Sequence, residues 1–181
     1  MNYQFNVQMS EQDYIEYNQF VMMRSPYGKK QVKNVRISLT LIFATAILAS
    51  LLIGGFNIGF FTSLIPLLIL YFISQVFLVK FSSYAVKRSI KDMKKQGKMA
   101  YSTESVLEFF DDCFVEITPD NKTETNYSAV ERISIVDNKM IYIHVNNVMA
   151  YIIPLSCIET KEQYDSFFNF IKTKCAVIDV Y

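Results

Sequence analysis

The chain has 181 residues, a formal net charge of +1, three cysteines, five glycines and a single histidine. Cys113, Cys157 and Cys175 are scattered without a C-x-x-C pair, which argues against a zinc site. With three glycines inside residues 54–59, Gly28 and Gly97 leave no phosphate-binding loop. The near-neutral total conceals a polarised molecule, because residues 1–98 carry 12 basic and 4 acidic side chains whereas residues 99–181 carry 6 and 13.

Residues 1–36 read as a strand and a helix. Tyr3, Phe5 and Val7 alternate with Gln4 and Asn6, the period of a half-buried strand. Ser10 offers an N-cap with Asp13 three residues on, opening a helix that carries Tyr14, Tyr17, Phe20 and Val21. Pro26 and Gly28 are expected to close it. A lone five-residue strand is unstable, so it requires a partner in a sheet elsewhere in the chain. The other β-rich region lies beyond residue 99, and pairing with the edge of that sheet is the expectation.

Residues 37–79 contain no Asp, Glu, Lys, Arg or His, a run of 43 that a bilayer demands and a small soluble domain has little use for. The run is too long for one span and is broken by Gly54-Gly55-Phe56-Asn57-Ile58-Gly59, a tight turn. Residues 37–53 and 60–79 then form two spans of a hairpin, with the turn at 54–59. Ten of the first 17 residues and 14 of the next 20 are Leu, Ile, Phe or Val, so the second span inserts more strongly. Ser38, Thr40, Thr45, Ser50, Pro66, Ser74 and Gln75 are polar or helix-bending residues within the spans. None is ionisable, which favours helix packing over an ion path, and Pro66 is expected to bend its helix.

Basic residues crowd both flanks. Arg24, Lys29, Lys30, Lys33 and Arg36 precede the run, and Lys80, Lys87, Arg88, Lys91, Lys94, Lys95 and Lys98 follow it. The positive-inside rule places both termini on the cytoplasmic side of the cell (inner or plasma) membrane and the glycine turn outside. Residues 80–98 form a basic juxtamembrane helix ended near Gly97. Lys87, Arg88, Lys91, Lys94 and Lys95 on it are the candidate contacts, either to anionic lipid or to the acidic C-terminal domain.

Residues 99–181 read as short strands at 105–110, 113–118, 123–127, 133–136, 140–145 and 148–153, separated by Asp- and Asn-containing turns. Thr160-Lys161-Glu162-Gln163 fits a capping box, and Tyr164, Phe167, Phe168 and Ile171 form one apolar stripe on the helix that follows. A meander closed by one C-terminal helix suggests a small pleckstrin-homology-like barrel. The fold class is therefore α+β: a transmembrane two-helix hairpin plus a small antiparallel β domain closed by a helix.

The order of these features resembles the YcxB-like membrane proteins. The residues that carry the resemblance are Asp13-Tyr14, Ser25-Pro26 before the hairpin, Glu108-Phe109-Phe110, Thr125-Asn126-Tyr127, Ile133 and Ile152-Ile153-Pro154. The resemblance implies fold and topology; it brings no reaction and no catalytic residues.

Chemistry-bearing residues are sparse. His144 sits within an expected strand and reads as structural, Asp111-Asp112 suits a turn better than a cation cage, and no cofactor is implied. In pleckstrin-homology domains the first hairpin loop holds phosphoinositides through basic residues; the loop taken as its counterpart, Asp111-Asp112, would repel a phosphate. The acidic domain lacks a nucleic-acid footprint. The leading expectation is a non-enzymatic membrane protein whose cytoplasmic domain engages another membrane or cytoplasmic protein, its own N-terminal elements or a second copy. Two further classes stay open: a protection factor of the bacteriocin-immunity type, and a small channel or transporter subunit, which would need oligomerisation.

Overall fold

The computed structural model describes residues 2–97 and 101–181. Lys98, the last of the expected basic flank, and the start of the 99–181 segment lie outside the described residues. The chain divides into two compact units, one made of Met1–Tyr17 with Gly97–Tyr181 and the other of Asn18–Gln96.

In the first unit the N-terminal strand β1 (Tyr3–Gln8) pairs antiparallel with β2 (Glu104–Phe109) over six residues, from Tyr3 opposite Phe109 to Gln8 opposite Glu104. The alternating pattern that had no local partner thus finds one nearly a hundred residues away. With β3 (Cys113–Ile117) and β4 (Lys122–Asn126) these strands form an antiparallel sheet in the order β1-β2-β3-β4. A second sheet holds β5 (Arg132–Val136), β6 (Met140–His144), β7 (Ala150–Pro154) and β8 (Ile178–Val180), in the order β7-β6-β5-β8. The strand β8 runs parallel to β5, with Ile178 opposite Ile133 and Val180 opposite Ile135. Three residues with a central Asp179 carry too little pattern to announce a strand, and sequence reasoning missed it.

Phe5, Val7, Leu107, Phe109 and Phe114 of the first sheet meet Ile133, Ile135, Ile141, Ile143 and Ile153 of the second in one buried core. The helix α4 (Lys161–Lys172) closes it with Phe167 and Ile171. Phe167 packs edge-on against Phe5 at 4.8 Å and Phe109 at 4.9 Å, so the N-terminal strand and the C-terminal helix share one aromatic cluster. The Thr160 hydroxyl accepts from the Gln163 N–H at 3.1 Å, and Gln163 Oε1 accepts in return from the Glu159 N–H. This reciprocal cap reaches one residue further back than a standard box. Between β5 and β6, Asp137 and Asn138 have φ of 52° and 50°, the two left-handed residues of a type I′ hairpin.

The second unit is dominated by two long helices, α2 (Pro26–Gly54, 29 residues) and α3 (Ile58–Lys95, 38 residues). Both are long and apolar enough to cross a membrane, and none of the most apolar 18-residue window of either is buried inside the protein. Leu52, Phe72 and Val76 are 78%, 64% and 66% exposed, a state that a helix from a water-soluble core would not tolerate. Gly55 takes φ of 65° at the turn, and the Asn57 side chain accepts from the Phe60 N–H at 2.9 Å to start α3. Tyr71 packs on Phe43 with ring centroids 5.3 Å apart and its hydroxyl lies 3.2 Å from Thr40 Oγ1. Ser50 and Ser63 hydroxyls approach to 3.4 Å. Thr45 and Ser74 instead donate to carbonyls of their own helices. Thr40, Thr45, Ser50 and Ser74 therefore serve packing or their own backbone, and α3 continues through Pro66.

The expected stop at Pro26 and Gly28 is corrected by the structure. The first helix, α1 (Glu11–Met23), ends earlier, and Pro26 opens α2 behind the N-cap Ser25. Proline at N1 loses no hydrogen bond, so it starts the second helix as well as it would end the first. Ser25 is fully buried; its hydroxyl donates to the Val21 carbonyl at 2.6 Å and accepts from the Gly28 N–H at 3.0 Å. A Cβ on Gly28 would lie 2.1 Å from the Val21 oxygen, so Gly28 is the close-approach point of a fixed elbow between the helices.

Candidate functional site

The basic candidates fall on one continuous extension of α3. Lys87, Arg88, Lys91, Lys94 and Lys95 occupy its last turns, with no helix break after the apolar stretch. The spacing i, i+1, i+4, i+7 and i+8 gathers them to one side, while Ile90 is 4% exposed. Arg88 Nε lies 3.8 Å from Asp92 Oδ2, an i,i+4 pair with both side chains more than half exposed. Such a pair contributes a few tenths of a kcal/mol at most, roughly 0.3–0.5, and leaves the local charge strongly positive. The structure therefore assembles the five cations as one charged helix face rather than a pocket.

The C-terminal unit carries a second polar cluster, which the sequence reading did not assemble. The second sheet is buried on both faces: behind the core-facing isoleucines, Ser134, Val136, Met140, Tyr142, His144 and Ile152 lie on the opposite side, all below one tenth exposed. Tyr17 of α1 packs there, its ring 5.1 Å from Tyr142 and 6.4 Å from His144, and its hydroxyl donates to the Val148 carbonyl at 2.8 Å. His144 Nε2 lies 3.1 Å from Ser134 Oγ. Burial first, and the Arg132 guanidinium second, lower the His144 pKa to about 4. Burial likewise raises the Tyr17 and Tyr142 phenols above their ordinary range. His144 is thus held neutral in a wall of aromatic rings, the arrangement of a packing residue. The signal that could have found the cluster was the unbroken apolar run of β6, Met140-Ile141-Tyr142-Ile143-His144, which suits a strand covered on two faces.

The cysteines fall in three separate places. Cys113 opens β3 opposite Asn126, Cys157 follows β7, and Cys175 is buried beyond α4 with its thiol 3.4 Å from the Val177 carbonyl. Burial, with Glu124 and Asp112 nearby, pushes the Cys113 thiol up, away from the thiolate that nucleophilic chemistry needs. Among the described residues no three His, Cys, Asp or Glu side chains gather as a metal site.

Asp111-Asp112 does connect β2 to β3, with Asp111 Oδ1 accepting from the Asn2 amide at 2.9 Å and its carbonyl from Lys174 Nζ at 2.7 Å. Because β1 precedes β2 in the sheet, this loop is the second connection. The first connection is the entire stretch of α1, α2 and α3, which corrects the loop correspondence drawn from the sequence.

Residues 109–171, from the last residue of β2 to the penultimate residue of α4, match the family model of the YcxB-like protein. This stretch is similar to a YcxB-like domain. The matched stretch of this domain covers β3 to β7, their turns and the closing helix, while β1 and the apolar hairpin lie outside it. No curated protein and no solved structure matches the chain.

Proposed function

We propose that this protein is a non-enzymatic integral protein of the cell (inner or plasma) membrane with both termini cytoplasmic. Its YcxB-like domain, which we read as pleckstrin-homology-like, is an interaction or scaffold module for another protein. The observation that carries this reading is where the apolar hairpin sits: between β1 and β2, neighbours in one sheet. A sheet whose two adjacent strands are joined by two spans closes when both strands stand on the same side of the bilayer. The basic flanks favour the cytoplasmic side. The two four-stranded sheets and closing helix support the pleckstrin-homology-like reading, and the domain's buried histidine and scattered thiols favour binding over catalysis.

The test is in-cell photocrosslinking from surface positions of the domain, such as Glu124 on the edge strand β4 and Asp165 on α4, in the full chain. A discrete protein adduct from at least one position is expected. No adduct from any scanned position in a correctly inserted chain contradicts the interaction-module reading.

A further inference from the structure

Between Glu16 and Asp92 the sequence holds nine lysines and arginines and no carboxylate. Three of these cations, Lys29, Lys33 and Arg36, stand at i, i+4 and i+7, which is one face of α2. They border a groove of about 360 Å³ whose other walls are Met23, Val32 and Val79. No carboxylate lines it. Val79 is the last apolar residue before Lys80 on α3, and Arg36 immediately precedes the apolar run on α2, so the groove opens at the foot of the hairpin.

Its walls are held in place. The elbow through Ser25 and Gly28 fixes Met23 beside the first turn of α2, and Ser83 Oγ approaches Met23 Sδ at 3.7 Å from α3. The cation row spans seven residues, about 10 Å of helix axis. That is enough to cross a headgroup layer, on the order of 5–8 Å deep.

We infer that this groove is a binding site for the phosphoryl headgroup of an anionic phospholipid of the same leaflet, with the acyl chains continuing along the exposed apolar face of α2 and α3. The inference rests on the membrane-spanning reading above. A lipid fits the groove better than a free phosphate because half of its lining residues are apolar, and Val35 and Ile37, the sequence neighbours of Arg36, are 43% and 49% exposed. Arg36, nearest the apolar run, offers a planar fork to phosphate oxygens, and Lys29 and Lys33 add point charges further out. The site is distinct from the α3 cation face, where the cleft beside Arg88 is lined by the Asp92 carboxylate as well.

The experiment uses the full chain, purified in detergent, and counts retained phosphatidylglycerol by native mass spectrometry as that lipid is titrated against phosphatidylcholine. Lys29→Gln/Lys33→Gln/Arg36→Gln is compared with a charge-matched control on the exposed surface of the domain, Lys122→Gln/Lys139→Gln/Lys161→Gln. The groove variant should weaken retention by about tenfold or more, and the control should retain lipid as wild type. Val32→Trp, which fills the groove and keeps every charge, should also lose the lipid and covers the case of a poorly folding triple variant. Equal losses in both triple variants, or retention in Val32→Trp, overturn the site. Displacement of the lipid by inorganic phosphate would assign the groove to a soluble ligand and overturn the lipid as its occupant. Alkaline extraction of the wild type from membranes separates the two levels: release overturns the spanning reading, whereas a chain that resists alkali while its groove variant retains lipid normally overturns the groove alone.

Discussion

Two residues decide more than their size suggests. His144 is fully buried with Ser134 on one side and Tyr17 and Tyr142 around it, and its pKa is lowered to about 4. The unfolded chain therefore binds a proton that the folded chain refuses between the ordinary value of 6.5 and about 4. By linkage, folding stability is intact above pH 6.5 and falls as pH drops through that window, by up to about 3 kcal/mol from this group. Replacing His144 with Gln should flatten the stability profile between pH 4 and 6.5, read by denaturant midpoints across pH; an unchanged slope would assign the acid sensitivity elsewhere. Gly28 is the second such residue. Its missing Cβ lets α2 start against the Val21 carbonyl, so Gly28→Ala forces an overpacked elbow costing roughly 1–3 kcal/mol. Ser25→Ala removes the cap at about 1 kcal/mol. Thermal unfolding in detergent should rank Gly28→Ala at least as damaging as Ser25→Ala.

At the scale of elements, most boundaries were legible because each rests on a local chemical signal. The Thr160 cap, the Asn57 cap, the glycine turn and the Asp137-Asn138 hairpin all appear where residue types require them. What was not legible is set by partners distant in sequence. The Pro26 signal is ambiguous because proline both ends and begins helices, and the elbow is decided by Ser25 burial. Likewise β8 becomes a strand because β5 offers it an edge, and the two-sided burial of β6 depends in part on Tyr17, well over a hundred residues away. At the basic site, the sequence supplied the five α3 cations but not the α2 groove, whose walls come from three helices. Pairing of β1 with β2 was readable from the N-terminal alternation, since a strand without a neighbour must find one. Its energetic weight is testable: Phe5 is 1% exposed within the aromatic cluster, so Phe5→Ala should cost about 3–5 kcal/mol. A loss below 1 kcal/mol in denaturant titration of the full chain would make β1 peripheral. An Asn6→Cys/Val106→Cys pair, opposite each other in the register, should form a disulfide under mild oxidation in membranes.

In the whole molecule, the first connection of the domain, between the paired strands β1 and β2, contains two helices long and apolar enough to cross a membrane. In the proposed topology that arrangement explains the polarised charge: the cations beside the apolar helices would set orientation and meet anionic lipid, while the carboxylates gather on the domain. The same proposed topology would make anchoring and folding interdependent, since β1 pairs with β2 across the hairpin. The most direct measurement is side-specific labelling of single cysteines placed at Asn2, Gly55 and Asp179 in a cysteine-free chain, with a membrane-impermeant thiol reagent applied to intact cells. The account predicts labelling at Gly55 alone, with Asn2 and Asp179 reacting after the membrane is opened. Labelling of either terminal position in intact cells, or of Asn2 and Asp179 on opposite sides, would contradict it.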